Sequence, residues 1–376
     1  MKKLGTAFAT FALLAGSVLS AAALADEPAK PAEPAKPAAP GLSDVLTSSG
    51  ITVTGYVAAS YYGSNGYPVN IHQFDVEHNT FQLDQAGLQV AYQPKEGFGG
   101  LVDIMAGEDA RLLHAAEDGH DTSWDVRQAF VQYATGSLTV MAGKMLTLAG
   151  AEVINPTLNT NFSRSLLFFD SEPLTHTGLR ATYAINDTMT VTGGVNNGWN
   201  TTSTSYGSKT GEVAFGWTPN KTFGITVQGY FGKALPFDDE KTLIDVVATY
   251  NVTSALTLIL NFDANEQKNA DLAGSTAKWN GGALYINYAI NDQWRVSVRG
   301  EYLDDKDGFL TGVSQTLKEG TITFGYAPVK SFELRLEGRY DKAQEDTFFK
   351  TRDALAAVVP DTNSLTGFAL QGVFKF

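Results

Sequence analysis

The chain contains no cysteine, which excludes structural disulfides and thiolate metal centres. It also lacks any run of about 18 apolar residues that could form a membrane-spanning helix. Charged residues make up only 18% of the chain, and bases are the minority at 27 against 40 acids. The formal charge of -13 argues against nucleic acid as a partner by simple electrostatics. With a mean hydropathy of -0.11, the composition is equally unlike that of a disordered chain. Aromatics and glycine are plentiful instead, with 22 Phe, 15 Tyr and 37 Gly, a mixture suited to many short strands with aromatic ends.

The amino terminus begins Met1, Lys2, Lys3, continues as an apolar run from Leu4 to Leu19, and ends in Ala23-Leu24-Ala25. A charged start, a short apolar centre and a small-x-small ending predict a secretory signal peptide over 1–25, cleaved near Ala25. Loss of Lys2 and Lys3 takes the formal charge from -13 to -15. Residues 26–49 begin DEPAKPAEPAKPAAPG, a Pro/Ala-rich repeat that predicts an extended periplasmic spacer. A helical turn at Asp44–Ser49, capped by Ser43, is expected at its end.

From residue 50 the dominant pattern is period-two alternation, which marks strands with two unlike faces. Trp294, Val296, Val298, Gly300 and Tyr302 alternate with Arg295, Ser297, Arg299 and Glu301. Phe332, Leu334, Leu336, Gly338 and Tyr340 alternate with Glu333, Arg335, Glu337, Arg339 and Asp341. About sixteen such segments occur, each near the ~10 residues that a tilted membrane strand needs. Their expected spans are 51–62, 81–93, 98–107, 124–134, 137–146, 175–185, 189–199, 208–218, 222–233, 241–251, 254–264, 278–290, 293–304, 316–327, 331–342 and 365–376.

A soluble sandwich could alternate in the same way, but two regularities favour a membrane barrel. Short turns follow the even strands, as at Asn186-Asp187 and Asn291-Asp292, while long polar loops follow most odd ones. That asymmetry is the one expected of periplasmic turns opposite external loops. The even strands also place an aromatic before each short turn: Tyr92, Tyr133, Tyr183, Trp217, Tyr250, Tyr288, Tyr326 and finally Phe376. Such a row fits an interfacial girdle, where amphipathic rings meet lipid headgroups. Trp124, Trp199, Phe231, Phe262, Trp279, Tyr302 and Tyr340 are expected to supply the opposite girdle. The expected fold is therefore an all-β, closed antiparallel transmembrane β-barrel over 50–376. Closure follows because lipid cannot satisfy open sheet edges.

The longest connection without strand pattern runs over about 146–174 and carries Leu166, Leu167, Phe168 and Phe169 among Glu152, Arg164 and Asp170. Apolar residues there need burial, so this loop is expected to fold into the lumen as a constriction. The segments AGKM (142–145), GAEVINPT (150–157), NFSRSLLF (161–168) and PLTHTGLR (173–180) resemble those of β-barrel porins of the OmpL-like porin-2 family. The terminal Phe376 resembles the signal read by the barrel-assembly machinery. The resemblance implies a bacterial outer-membrane porin that passes small hydrophilic solutes by passive diffusion. It further implies an inward-folded loop after the fifth strand and a homotrimer, while the girdles and outward cations lead to expected contacts with outer-membrane lipids and lipopolysaccharide.

Strand parity places Arg180, Arg295, Arg299, Arg335, Arg339 and Lys375 inward, with His176 near the loop. The inward acids are Asp103, Glu212, Asp245, Asp263, Glu301, Glu333, Glu337 and Asp341. The arginines could face Glu152 and Asp170 across the pore and orient solutes in a transverse field. Alternatively Arg335, Glu337 and Arg339 pair with neighbours and stiffen the wall. Because inward acids outnumber bases, weak cation preference is expected. Arg127 and Lys144 break the parity, which calls for a bulge or for lipopolysaccharide phosphates at their ends.

The acidic tract 107–122, with His114 and His120, has no recognised metal-ligand spacing and reads as a solvated external loop. His72 and His78 carry no motif either. No cofactor, metal or catalysis is expected. A lipid hydrolase would need a serine beside His176, the sole strand histidine, and none is apparent. A plugged barrel serving as a structural tether is the other alternative.

Overall fold

In a computed structural model of the chain, the described residues are 46, 48–67, 71–119, 122–204, 207–234, 239–270 and 274–376. The signal peptide, most of the spacer, Ser43, Asp44 and His120 lie outside them. Leu46, Ser48 and Ser49 are helical, and the Ser49 hydroxyl donates to the Leu46 carbonyl.

Sixteen antiparallel strands close into one barrel in sequence order. They are β1 (Thr52–Ser64), β2 (Thr80–Tyr92), β3 (Gly97–Ala106), β4 (Trp124–Thr135), β5 (Leu138–Leu146), β6 (Thr175–Asn186), β7 (Met189–Asn196) and β8 (Thr210–Trp217). The second half comprises β9 (Phe223–Ala234), β10 (Asp239–Asn251), β11 (Leu256–Gln267), β12 (Ala277–Ala289), β13 (Trp294–Asp305), β14 (Gln315–Val329), β15 (Phe332–Ala343) and β16 (Ser364–Lys375). Helices α1 (Glu108–Asp118), α2 (Leu166–Asp170) and α3 (Arg352–Ala357) lie in long loops.

The seam is closed by β1 against β16, with Tyr56 opposite Lys375. Gly55 and Phe376 exchange two backbone hydrogen bonds at its end, of 3.0 and 2.9 Å. A Cβ on Gly55 would sit 2.3 Å from the Phe376 ring, so the glycine lets that terminal side chain lie against β1.

One face of the sheet is an exposed apolar band, including Val131, Leu260, Phe262, Leu334 and Phe368. That is the surface a soluble protein would hide and a bilayer covers. The expected row before the short turns is present: Tyr92, Tyr133, Tyr183, Trp217, Tyr250, Tyr288 and Phe376 are exposed, and Tyr326 stacks on Trp294 at 4.4 Å. The opposite row is corrected at two positions. Trp279 is 1% exposed and stacks inside on Phe309, while Trp199 packs on Tyr230 and the Lys241 ammonium.

Two bulges reset the parity. Between β3 and β4 the register skips Arg127, which turns inward and binds Asp103 through two bonds of 2.8 Å. Between β1 and β2 it skips Asp84, which turns inward to Ser60 and Gln371. Arg127 therefore needs no lipid phosphate. Lys144 likewise reaches Glu117 of α1 and Asp125.

Candidate functional site

Loop 3, the connection between β5 and β6, folds into the barrel as its apolar residues demand. Leu166 and Leu167 pack with Trp279, Ala283, Tyr285 and Leu303 of the wall. Phe168 joins Ile154, Phe74 of the first long loop and Ala110 and Leu113 of α1. Full burial of each such side chain contributes about 1.5–3 kcal/mol. Ser165 caps α2 by accepting from the Phe168 amide at 3.0 Å.

The backbone of the loop is then fastened to one wall by charge. Arg299 on β13, fully buried, donates to Glu152 at 2.8 Å and to the Ser163 and Arg164 carbonyls at 3.1 and 3.2 Å. Its Nε lies 2.9 Å from Glu301 and 3.1 Å from Glu319. Glu301 also accepts from the Leu166 amide at 2.9 Å, and Glu152 from the Ser165 amide at 2.6 Å. On β15, Glu337 accepts the Phe162 and Ser163 amides at 2.7 and 2.9 Å. Arg339 donates to the Arg164 carbonyl at 2.7 Å and to Asp341. Arg335 and Arg295 share Glu333, and Arg295 also holds the Thr160 carbonyl at 2.6 Å.

The expected free charges at the constriction are thus corrected. Glu152 and Arg164 are 5% and 2% exposed and do not face an open path. Arg164 instead donates to the Val153, Phe162 and Ile154 carbonyls and lies over the Phe74 and Phe168 rings. The pairing alternative describes Arg335, Glu337 and Arg339 better than an open transverse field. Asp170 closes α2 at the far end of the loop. Arg180 and His176 lie on the other wall. Arg180 forms a bidentate pair with Glu212 at 2.7 and 2.9 Å. His176 stacks on Tyr230 at 4.9 Å, and its Nδ1 donates to the Gly198 carbonyl at 3.1 Å.

Two lumen elements lay beyond sequence reasoning. The acidic tract expected as a solvated loop forms α1, with Ala110 and Leu113 fully buried and Asp109 bonded to Gln85. His114 contacts Asp125 at 3.2 Å. The spacing of Ala110 and Leu113 was the available helical signal. In loop 1, between β1 and β2, residues 71–75 are buried as well. His72 pairs with Asp75 at 2.7 Å and lies 3.3 Å from Asp341, while Asp75 sits 3.6 Å from Arg339. Burial and Arg339 oppose the charge on His72, but Asp75 and Asp341 outweigh them and hold its pKa above the usual range. Burial also opposes the Asp75 charge, yet His72 and Arg339 hold that carboxyl well below its usual range.

Every strand contributes at least one inward side chain that is less than a tenth exposed, so a buried belt encircles the lumen. Toward the short-turn end, β6 to β10 present a different lining of small groups: Thr182, Thr192, Ala214, Thr226 and Thr249, all half-buried. Near the same end a pocket of about 270 Å³ is lined by the loop tip at Thr157–Thr160 together with Arg295, Lys330, Arg335 and Lys375.

The chain matches the family described as "Putative beta-barrel porin-2, OmpL-like" over residues 50–376. No curated protein matches it. Among solved structures it is similar to the outer membrane channel DcaP of Acinetobacter baumannii, at 13% identity and a TM-score of 0.62, covering 87% of this chain and 97% of that one. An anion-selective porin from Comamonas acidovorans matches at 12% identity and 0.62, over 87% and 99%. The trimer form of OmpT from Vibrio cholerae matches at 12% and 0.59, also over 87% and 99%. At these identities the likeness is one of fold.

Proposed function

Because this chain belongs to the OmpL-like family of β-barrel porins, we propose that it is an outer-membrane channel for passive diffusion of small hydrophilic solutes and ions. The observation that carries this reading is loop 3, which crosses the lumen and is fastened to β13 and β15 through Arg299 and Glu337. In this reading the constriction is built from loop 3, with Glu152, Arg164 and the α2 end at Asp170, and from the walls that hold or face it, with His176, Arg180, Arg295, Arg299, Glu301, Arg335, Glu337 and Arg339. Most of these hold the loop, and solutes pass where it yields. Export by the signal peptide, assembly through Phe376, girdle contacts with lipid and lipopolysaccharide, and a homotrimer complete the proposal. The trimer form of the Vibrio relative supports the last of these.

Selectivity is weakly cationic in this reading, since acids outnumber bases along the inward face. Catalysis has no place in it, because the His176 ring is stacked and bonded to backbone.

Purified protein in planar bilayers is expected to give open-channel steps, with a reversal potential under a salt gradient that favours cations. Replacing residues 150–172 by a short Gly-Ser linker is expected to raise the conductance several-fold. Unchanged conductance would make the loop an external cap. A clear anion preference would instead make the Arg295, Lys330 and Lys375 mouth the filter. The buried belt favours a second reading, a plugged barrel that acts as a structural tether. Silence of the intact chain together with conduction by the loop-deleted one would select it.

A further inference from the structure

Away from the arginine wall, the return limb of loop 3 meets β10 and β11 at Glu172, Asp245 and Asp263. One carboxylate oxygen from each lies within 4.8 Å of the others. They are 3%, 0% and 0% exposed. Among the described residues none of the three is paired with Lys or Arg, in contrast to Glu152, Glu301 and Glu319 around Arg299. Three buried carboxylates at this separation cannot all stay ionised without a cation.

Amide groups around the cluster point to the same need. Gln228 on β9 is 2% exposed and donates through Nε2 to Asp245, while its Oε1 has no hydrogen-bond partner. A half-turn of its terminal torsion brings that oxygen onto the cluster in place of the nitrogen. The Asp263 Oδ2 is also without a partner. Asn265, two residues along the same face of β11 and 6% exposed, leaves both side-chain polar atoms unbonded. Asn261 supports the cluster by donating to Asp245 at 2.8 Å. The loop backbone comes so close that a Cβ on Gly150, whose φ is +85°, would meet Glu172 at 1.9 Å.

We propose that Glu172, Asp245 and Asp263, with the Gln228 carboxamide oxygen, bind one divalent cation of the Ca²⁺ type that pins the return limb of loop 3 to the wall. The donors are all oxygens, which suit hard cations, and the set contains neither imidazole nor thiolate. Mg²⁺ suits it less, because that ion keeps its waters and demands octahedral geometry. The burial of three carboxylates so close together is the cost that a bound cation would offset.

The test uses the full chain refolded in detergent without lipopolysaccharide, with barrel formation verified by heat-modifiable gel migration. Calorimetric titration with CaCl₂ is expected to show one ion per chain, and MgCl₂ to bind at least tenfold more weakly. Asp263→Asn and Glu172→Gln should each weaken Ca²⁺ binding at least tenfold, whereas Asp292→Asn in an exposed turn should not. Hydrogen exchange across 149–173 should quicken when the wild-type protein is treated with EDTA and slow again with Ca²⁺. This last measurement decides the matter if either variant fails to form a barrel. No Ca²⁺ binding by a verified barrel, undiminished binding by both variants, or exchange indifferent to EDTA would each overturn the proposal in favour of protonated carboxylates. None of these readouts depends on conductance, so their failure is separate from that of the channel reading.

Discussion

The walls formed by β13–β15 and by β6–β9 face the same lumen but are built for different work. On the first, Arg299, Arg335 and Arg339 are each 3% exposed or less, and all three meet carboxylates. Their remaining donors hold carbonyls of loop 3. On the second, the lining toward the short turns is Thr182, Thr192, Ala214 and Thr226, half-buried and uncharged. The concentration of charge therefore marks where the loop is clamped, while the opposite side presents hydroxyls and methyls to the lumen. A charged residue inside a barrel need not be a wet one.

The sharpest way to break that contrast is to remove its centre. Arg299→Ala leaves Glu152, Glu301 and Glu319 without their shared cation in a buried setting. Loss of one partner from such a cluster costs about 3–5 kcal/mol. Urea unfolding of the refolded barrel should show that loss, and bilayer recordings should show noisier, larger openings. Wild-type stability in this variant would mean that β13 is not a clamp.

Glu337→Gln tests the neighbouring strand more gently. The carboxylate accepts both loop amides and the Thr323 hydroxyl at 2.6 Å. A carboxamide offers only one acceptor oxygen, so at least one buried amide is left short of a partner, at about 1–3 kcal/mol. Hydrogen exchange at Phe162 and Ser163 should accelerate while the outer strands keep their protection. Equal acceleration throughout the barrel would assign Glu337 to global stability.

A smaller, pH-dependent effect is expected where loop 1 joins the same wall. The facing groups are His72, Asp75, Arg339 and Asp341. The raised His72 pKa makes its contribution complete below about 6.5, its unfolded value, and loses it as pH rises through the folded value. The lowered Asp75 pKa acts in the opposite sense, present above about 3.9 and lost as pH falls. Protection at residues 71–75, taken relative to the intrinsic base-catalysed exchange rate at each pH, should thus fall from pH 6 to pH 9, and His72→Gln should flatten that profile. A profile that stays steep in His72→Gln would place the titration elsewhere.

Much of this molecule was legible because lipid and lumen impose opposite demands on alternate residues. Period two located all sixteen strands, with ends displaced by no more than three residues, as at β7, which stops at Asn196. The apolar Leu166–Phe168 run was enough to send loop 3 inward. Parity failed where the chain slips a residue, since the Asp84 and Arg127 bulges leave no mark in composition. It also says which face a residue takes and not whether water reaches it. The burial of Glu152 and Arg164 is set by partners on β13 and within the loop itself. Loop 1 was invisible for a similar reason, because His72 and Asp75 are ordered by Arg339 and Asp341, remote in sequence. Helix α1 was hidden by its acids, which suggest solvent although Asp109 and Glu117 bond inside the barrel mouth.

The smallest effect on stability is expected on the second wall, and it defines what that wall is. Thr182 bonds across to the Thr192 hydroxyl at 2.9 Å and remains half-buried among small side chains. In Thr182→Lys the half-buried position leaves an ammonium free to extend toward the short turns and keep its hydration. Without desolvation the cost should stay within about 0.5 kcal/mol, as for an ordinary exposed site. The added positive charge in the solute path should nevertheless move the reversal potential toward anions, and high salt should weaken that shift. Stability and selectivity are thereby separated: Arg299→Ala moves the first strongly, whereas Thr182→Lys moves the second. Should Thr182→Lys unfold as readily as Arg299→Ala, the β6–β9 lining would be a dry, packed surface like its opposite. The plugged tether would then describe the barrel better than the channel.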